Sequence, residues 1–137
     1  MDDFYRENVL DHYKNPRNFG KLSDSDYSAE MDNPLCGDRI EMEIKLKVQS
    51  GRPLGKFKVI KEIRFYGEGC AISTASASML TERVKGMEID EVQKLNKEDI
   101  LKLLGIQLTP TRLKCALLPL EVLHKTLALA KDNNFGL

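Results

Sequence analysis

The sequence predicts an α+β domain built on an antiparallel sheet, and three stretches predict it. In "RIEMEIKLKV" (39–48), Ile40, Met42, Ile44, Leu46 and Val48 alternate with Arg39, Glu41, Glu43, Lys45 and Lys47. A period of two sustained this long marks a half-buried strand. After the turn "SGRPLG" (50–55) comes "KFKVIKEIRFYG" (56–67), where Ile63 and Phe65 continue the apolar face. It reads as one strand, or as two with a bulge, forming a hairpin or meander with the first. The period then changes. In "GCAISTASASMLTERVKG" (69–86), Ile72, Ala75, Met79 and Leu80 recur at helical spacing, and Gly86 ends the run.

The remaining elements follow from the same rules. Residues 2 to about 13 form a helix with Phe4, Val9 and Leu10 expected on one side, stopped by Pro16 and Gly20 in "KNPRNFG" (14–20). "KLSDSDYSAEMD" (21–32) is a loop or a short irregular strand. The small residues of the 69–86 helix make it slim enough to lie close against a sheet or another element. "EIDEVQKL" (88–95) and "KEDILKLL" (97–104) are two short helices, the second ending at Gly105. "IQLTPTR" (106–112) is an extended connector broken by Pro110. A last helix covers roughly 116–131, with Leu120, Leu123 and Leu127 as its stripe and Pro119 in its first turn or marking its start. No repeat or linker interrupts the chain, so one domain spans 1–137.

Composition narrows the function. Lys plus Arg and Asp plus Glu each total 21 in 137 residues, so net charge points neither to nucleic acid nor to an acidic membrane. No apolar stretch approaches the roughly 20 residues of a membrane span. The start, Met-Asp-Asp-Phe-Tyr-Arg, lacks the basic and then apolar design of a secretory signal, and the expected compartment is the cytoplasm.

The chemistry lies in three cysteines, Cys36, Cys70 and Cys115, spaced 34 and then 45 residues apart. An odd number without a CxxC pair is neither a disulfide framework nor a zinc ribbon. Cys36 stands in "NPLCGD" (33–38), a turn that also carries Asp38. Cys70 falls where a strand gives way to a helix, and Cys115 just before or at the start of the last helix, where free N–H groups attract negative charge. Lys114 and Arg112 add positive charge nearby. Each cysteine has a plain alternative: an exposed turn residue, a small residue at a junction, or, for Cys115, a core residue beside Leu113 and Leu117. Taken together, three thiols at element boundaries and one carboxylate form a candidate four-ligand site. His12 and His124 lie in helices, away from the cysteines in sequence, and read as packing residues.

Four segments in order carry a resemblance: "LDHYKNPRNFG" (10–20), "NPLCGD" (33–38), "GEGCAISTASASML" (67–80) and "RLKCALLPLEVL" (112–123). They resemble the iron–sulfur cluster assembly scaffolds of the IscU, NifU N-terminal domain and SufU group, over nearly the whole chain. The resemblance implies a small antiparallel three-stranded sheet with helices packed on one face. It implies that Cys36, Asp38, Cys70 and Cys115 hold a [2Fe–2S] cluster, with Asp38 as the labile ligand and Cys115 as candidate acceptor of sulfur. Implied partners are a cysteine desulfurase and apo acceptor proteins, with a homodimer in the loaded state, and the role is assembly rather than enzymatic turnover. Lys114 replaces the histidine that precedes the third cysteine in IscU and resembles SufU, although the long SufU insertion between the second and third cysteines is absent. That likeness keeps open a zinc-bound sulfurtransferase partner that accepts persulfide; a structural zinc module is a third reading. "LTPTR" (108–112) departs from the Leu-Pro-Pro-Val-Lys chaperone segment of IscU.

Overall fold

The computed structural model describes residues 2–34, 37–52 and 55–132. Helix α1 (Asp2–Lys14) leads into strands β1 (Tyr27–Asn33), β2 (Asp38–Arg52) and β3 (Gly55–Glu68). Helices α2 (Ala71–Val84), α3 (Ile89–Gln93), α4 (Lys97–Leu104) and α5 (Pro110–Asp132) follow. The strands form an antiparallel meander in the order β1-β2-β3. Ile40, Met42, Ile44, Ile63 and Phe65 are buried on one face under the helices. The other face carries charge: Arg39 pairs with Glu30, Lys45 with Asp24, and Glu62 with both Arg64 and Lys85. A hydrogen bond to Glu41 there pushes the Tyr66 phenol up to about 12.

The alternation in β2 weakens toward the hairpin end, where Leu46 is half-buried and Val48 is exposed, because the strand pair outruns the helices that cover it. The bulge allowed by the sequence is real and lies inside one strand. Lys45 pairs with Glu62 and Leu46 with Ile60, leaving Lys61 as the extra residue. That shift lets both Val59 and Ile60 be buried.

Three expectations are corrected. The stretch expected as a loop or irregular strand contains β1, a regular seven-residue strand in unbroken register from Tyr27↔Ile44 to Asn33↔Asp38. Its polar composition masked an alternation of half-buried Tyr27, Ala29 and Met31 with exposed Ser28, Glu30 and Asp32. On α1, Phe4 is 68% exposed and Leu10 is exposed too. At about 100° per residue the inward stripe is Tyr5, Val9 and His12, which leaves Phe4 and Leu10 outside it. Finally, α5 begins at Pro110, so Pro119 lies inside the helix. Thr109 precedes Pro110, its carbonyl accepts from Leu113 N at 2.8 Å, and its hydroxyl faces Arg112 N at 3.4 Å. A threonine cap followed by proline in the first helical position is a start signal, not a break.

The Ala- and Ser-rich α2 is deeply packed, and its small side chains are what allow that approach. Its buried hydroxyls are all engaged. Ser73 donates to Cys70 O, Ser76 to Ala116 O and Thr81 to Ser78 O, while Ser78 meets His12 Nδ1 and accepts from Arg17 N. Among the described residues, no buried side-chain nitrogen or oxygen lacks a partner. Helix α4 carries a reciprocal Asn96–Asp99 cap and ends at Gly105 in the left-handed region, φ 66°. A Cβ at Gly105 would also strike the Tyr5 ring, so α1 closes over that turn. No helix among the described residues is long and apolar enough to cross a membrane.

Candidate functional site

Antiparallel pairing puts the start of β2 beside the end of β3, with Arg39 opposite Glu68. Asp38 is thereby brought to Cys70, although 32 residues separate them. The Asp38 side chain is turned inward at 3% exposure, and its Oδ1 accepts the Cys70 N–H at 2.9 Å. The other oxygen, Oδ2, faces the Cys70 thiol at 3.9 Å. Cys70 is the N-cap of α2 in extended backbone (φ −72°, ψ 174°), and its own thiol makes no capping bond. The thiol is therefore left to point at the carboxylate. Helix α5 packs against α2, with Ser76 Oγ donating to Ala116 O at 2.6 Å, and this delivers Cys115 as the third member.

One oxygen of Asp38 and the sulfurs of Cys70 and Cys115 lie within 4.8 Å of one another. In a tetrahedral metal site the ligand atoms are roughly 3.3–3.8 Å apart for metal–ligand bonds of about 2.0–2.3 Å. The present separations come close to that, and a contraction of about 1 Å would close the set. Two sulfurs and one oxygen suit zinc or iron and leave a position for a fourth donor. No disulfide engages Cys70 or Cys115. Cys36, the remaining expected ligand, lies outside the described residues.

The glycines of "GEGC" have structural roles. At Gly67, φ is 135° and a Cβ would lie 2.0 Å from the Arg39 carbonyl oxygen, so only glycine lets β3 end against β2 here. At Gly69 a Cβ would collide with Ser73 Oγ and come to 3.5 Å from Asp38 Oδ1. Their steric purpose carries no local sequence signal, because it depends on Arg39, 28 positions away from Gly67 on a neighbouring strand.

One expectation about the thiols is overturned. Cys115 sits in the second turn of α5, not at its N-terminus, because the helix begins at Pro110. It is 0% exposed, whereas Cys70 is half-buried. Lys114 points elsewhere, as neighbouring positions on a helix must. It is exposed and lines a shallow groove with Asp32, Asn33, Leu117, Leu118 and Glu121. His12 is engaged with Ser78, and His124 faces the Val92 carbonyl, in keeping with packing roles.

A sheet covered on one face, with thiols and a carboxylate gathered where its strands meet two helices, defines a small metal- or sulfur-handling α+β protein. The chain belongs to the NifU-like N-terminal domain family, whose model matches residues 4–134. It is similar to the zinc-dependent sulfurtransferase SufU of Bacillus subtilis, 37% identical over 151 aligned positions that cover 98% of this chain and 96% of that protein. It is also similar to the iron–sulfur cluster assembly scaffold protein IscU of Aquifex aeolicus, 41% identical over 120 positions, covering 88% of this chain and 71% of the relative. Among solved structures, the SUF-system iron–sulfur cluster assembly scaffold of Fervidobacterium islandicum superimposes with a TM-score of 0.71 at 26% identity. That match covers 88% of this chain and 94% of its counterpart.

Proposed function

We propose that this chain, as one domain spanning 1–137, is a cytoplasmic scaffold on which a [2Fe–2S] cluster is assembled and then passed to apo acceptor proteins. The observation that carries the reading is the convergence of Asp38, Cys70 and Cys115 within 4.8 Å at the junction of β2, α2 and α5. The cluster is cargo, held by Cys36, Cys70 and Cys115 as thiolates and by Asp38 as carboxylate. Four thiolates would hold iron too firmly for release, and a carboxylate is a harder, weaker partner for iron in a cluster.

The geometry refines how Asp38 would act. Its Oδ1 is committed to the Cys70 N–H, while Oδ2 faces the thiol. Release then needs no swing of the loop: Oδ2 can bind or leave iron while Oδ1 keeps the side chain in place. Sulfur comes from a cysteine desulfurase carrying a persulfide. The Cys115 thiolate attacks the outer sulfur, the desulfurase S–S bond breaks, and the desulfurase leaves as a thiolate while Cys115 carries the new S–S bond. Iron and electrons come from other proteins, a loaded homodimer can share the cluster, and the chain is not an enzyme in the ordinary sense.

The similarity to Bacillus subtilis SufU supports a second reading, a zinc-bound partner that accepts persulfide and forwards it. Zinc held by the same side chains would keep the ligand thiols deprotonated. Anaerobic reconstitution with iron, cysteine and a cysteine desulfurase separates the two, followed by timed transfer to an apo-ferredoxin. The scaffold reading requires visible absorbance that passes to the ferredoxin. A colourless, zinc-retaining protein that still forwards persulfide would replace it with the second reading.

A further inference from the structure

The proposed sulfur acceptor is buried, and α5 contains a means of uncovering it. Pro119 lies four residues after Cys115 and has no N–H to give to the Cys115 carbonyl, and its ring crowds that carbonyl. The burial of α5 divides near this point. Between 110 and 117 only Cys115 and Ala116 are fully buried, and both are small; Thr111, Arg112 and Lys114 are exposed. Beyond it, Leu118, Leu120, Val122, Leu123 and Leu127 anchor the helix in the core. The hydrogen bond from Ser76 Oγ to Ala116 O, 2.6 Å long, ties the loosely buried half to α2. Lifting residues 110–117 uncovers Cys115, Ala116 and the half-buried Leu113 and Leu117 but none of the fully buried leucines beyond, and the helix lacks one backbone bond that would resist bending there.

We infer that Pro119 is the hinge of a half-helix, residues 110–117, that tilts away from α2 to present the Cys115 thiol, and that the Ser76–Ala116 hydrogen bond is its latch. Pro119 and Ser76 are thus positioning residues for sulfur acceptance, a role that rests on the proposed function of Cys115. The hinge itself can be tested without any partner. Full-length, metal-free protein is alkylated with iodoacetamide under native conditions, and the rate at each cysteine is read by peptide mass spectrometry. In Pro119→Ala the restored backbone bond should slow Cys115 by about fivefold, as one such bond of ordinary strength would. Cys70 should be unaffected. Ser76→Ala should speed Cys115 by a similar factor, again with Cys70 unchanged.

An unchanged or faster Cys115 rate in Pro119→Ala would overturn the hinge. So would a parallel slowing of Cys70, which would mean general stabilisation only. A second arm mixes each variant with desulfurase and cysteine and maps the added sulfur. Persulfide on Cys115 that falls with its alkylation rate supports both readings. If alkylation follows the hinge but early sulfur goes to Cys36 or Cys70, the hinge stands and the acceptor role of Cys115 fails.

Discussion

Replacement of Asp38 separates its structural and exchange roles. Its Oδ1 accepts the Cys70 N–H at 2.9 Å, and the side chain is buried, so Asp38→Ala removes a charge-assisted hydrogen bond and leaves a donor unmatched. Such bonds contribute about 1.5–3 kcal/mol. The metal-free variant should lose about 2 kcal/mol, or roughly 6–10 °C of Tm in a domain of this size. Asp38→Asn keeps an acceptor oxygen for Cys70 N and should lose less than about 1 kcal/mol. The cluster should respond in the opposite direction. Oδ2, 3.9 Å from the Cys70 thiol, is the weaker ligand, and its departure opens a place on iron for an incoming thiolate, which eases ligand exchange. Without it the cluster should persist about tenfold longer, a barrier change of about 1.4 kcal/mol. Denaturant melts of both variants, with decay of visible absorbance after reconstitution, test the two halves. Equal stability of wild type and Asp38→Ala would refute the anchoring bond, and faster decay in Asp38→Ala would refute the exchange role.

Cys36→Ser, Cys70→Ser and Cys115→Ser should each abolish a stable reconstituted cluster, and a normal absorbance spectrum in any one of them removes that residue from the ligand set. Lys114 is exposed and turned from Cys115, so Lys114→Ala should slow Cys115 alkylation only about twofold, as expected of a solvent-screened charge, and leave cluster capacity intact; equal rates would end its electrostatic role. Burial holds the His12 imidazole below its ordinary value of 6.5, outweighing Glu82 at 3.8 Å and the nearby Asp11. The unfolded chain then binds a proton that the folded one resists, so stability is full above pH 6.5 and falls as pH drops below it. Denaturant midpoints between about pH 7.5 and pH 5 should show this loss, since the carboxylates stay ionised over most of that window. A flat profile there would contradict it.

Periodicity made much of the framework legible. The alternation of Ile40, Met42 and Ile44 and the helical spacing of Ala75, Met79 and Leu80 report burial directly, because one buried face imposes period two or 3.6 on the chain. Where only part of an element is covered, the signal thinned: β1 has a half-buried inner face and was masked by its polar outer one. The proline pair in 110–119 failed for another reason. Proline is compatible with a helix start and disruptive inside one, and which applies depends on neighbours that a local pattern does not contain.

For the site, the sequence by itself supplied the candidate groups: three widely spaced thiols and a carboxylate beside one of them. The convergence of Asp38, Cys70 and Cys115 was decided by tertiary structure, since 32 residues separate Asp38 from Cys70 and 45 separate Cys70 from Cys115. Strand register joined the first pair, and helix packing against α2 brought in the third. Tertiary structure also decided the direction of Asp38 and the concealment of Cys115. A side chain's burial and partners depend on what other segments lay against it, and residues far apart along the chain carry no local trace of that contact.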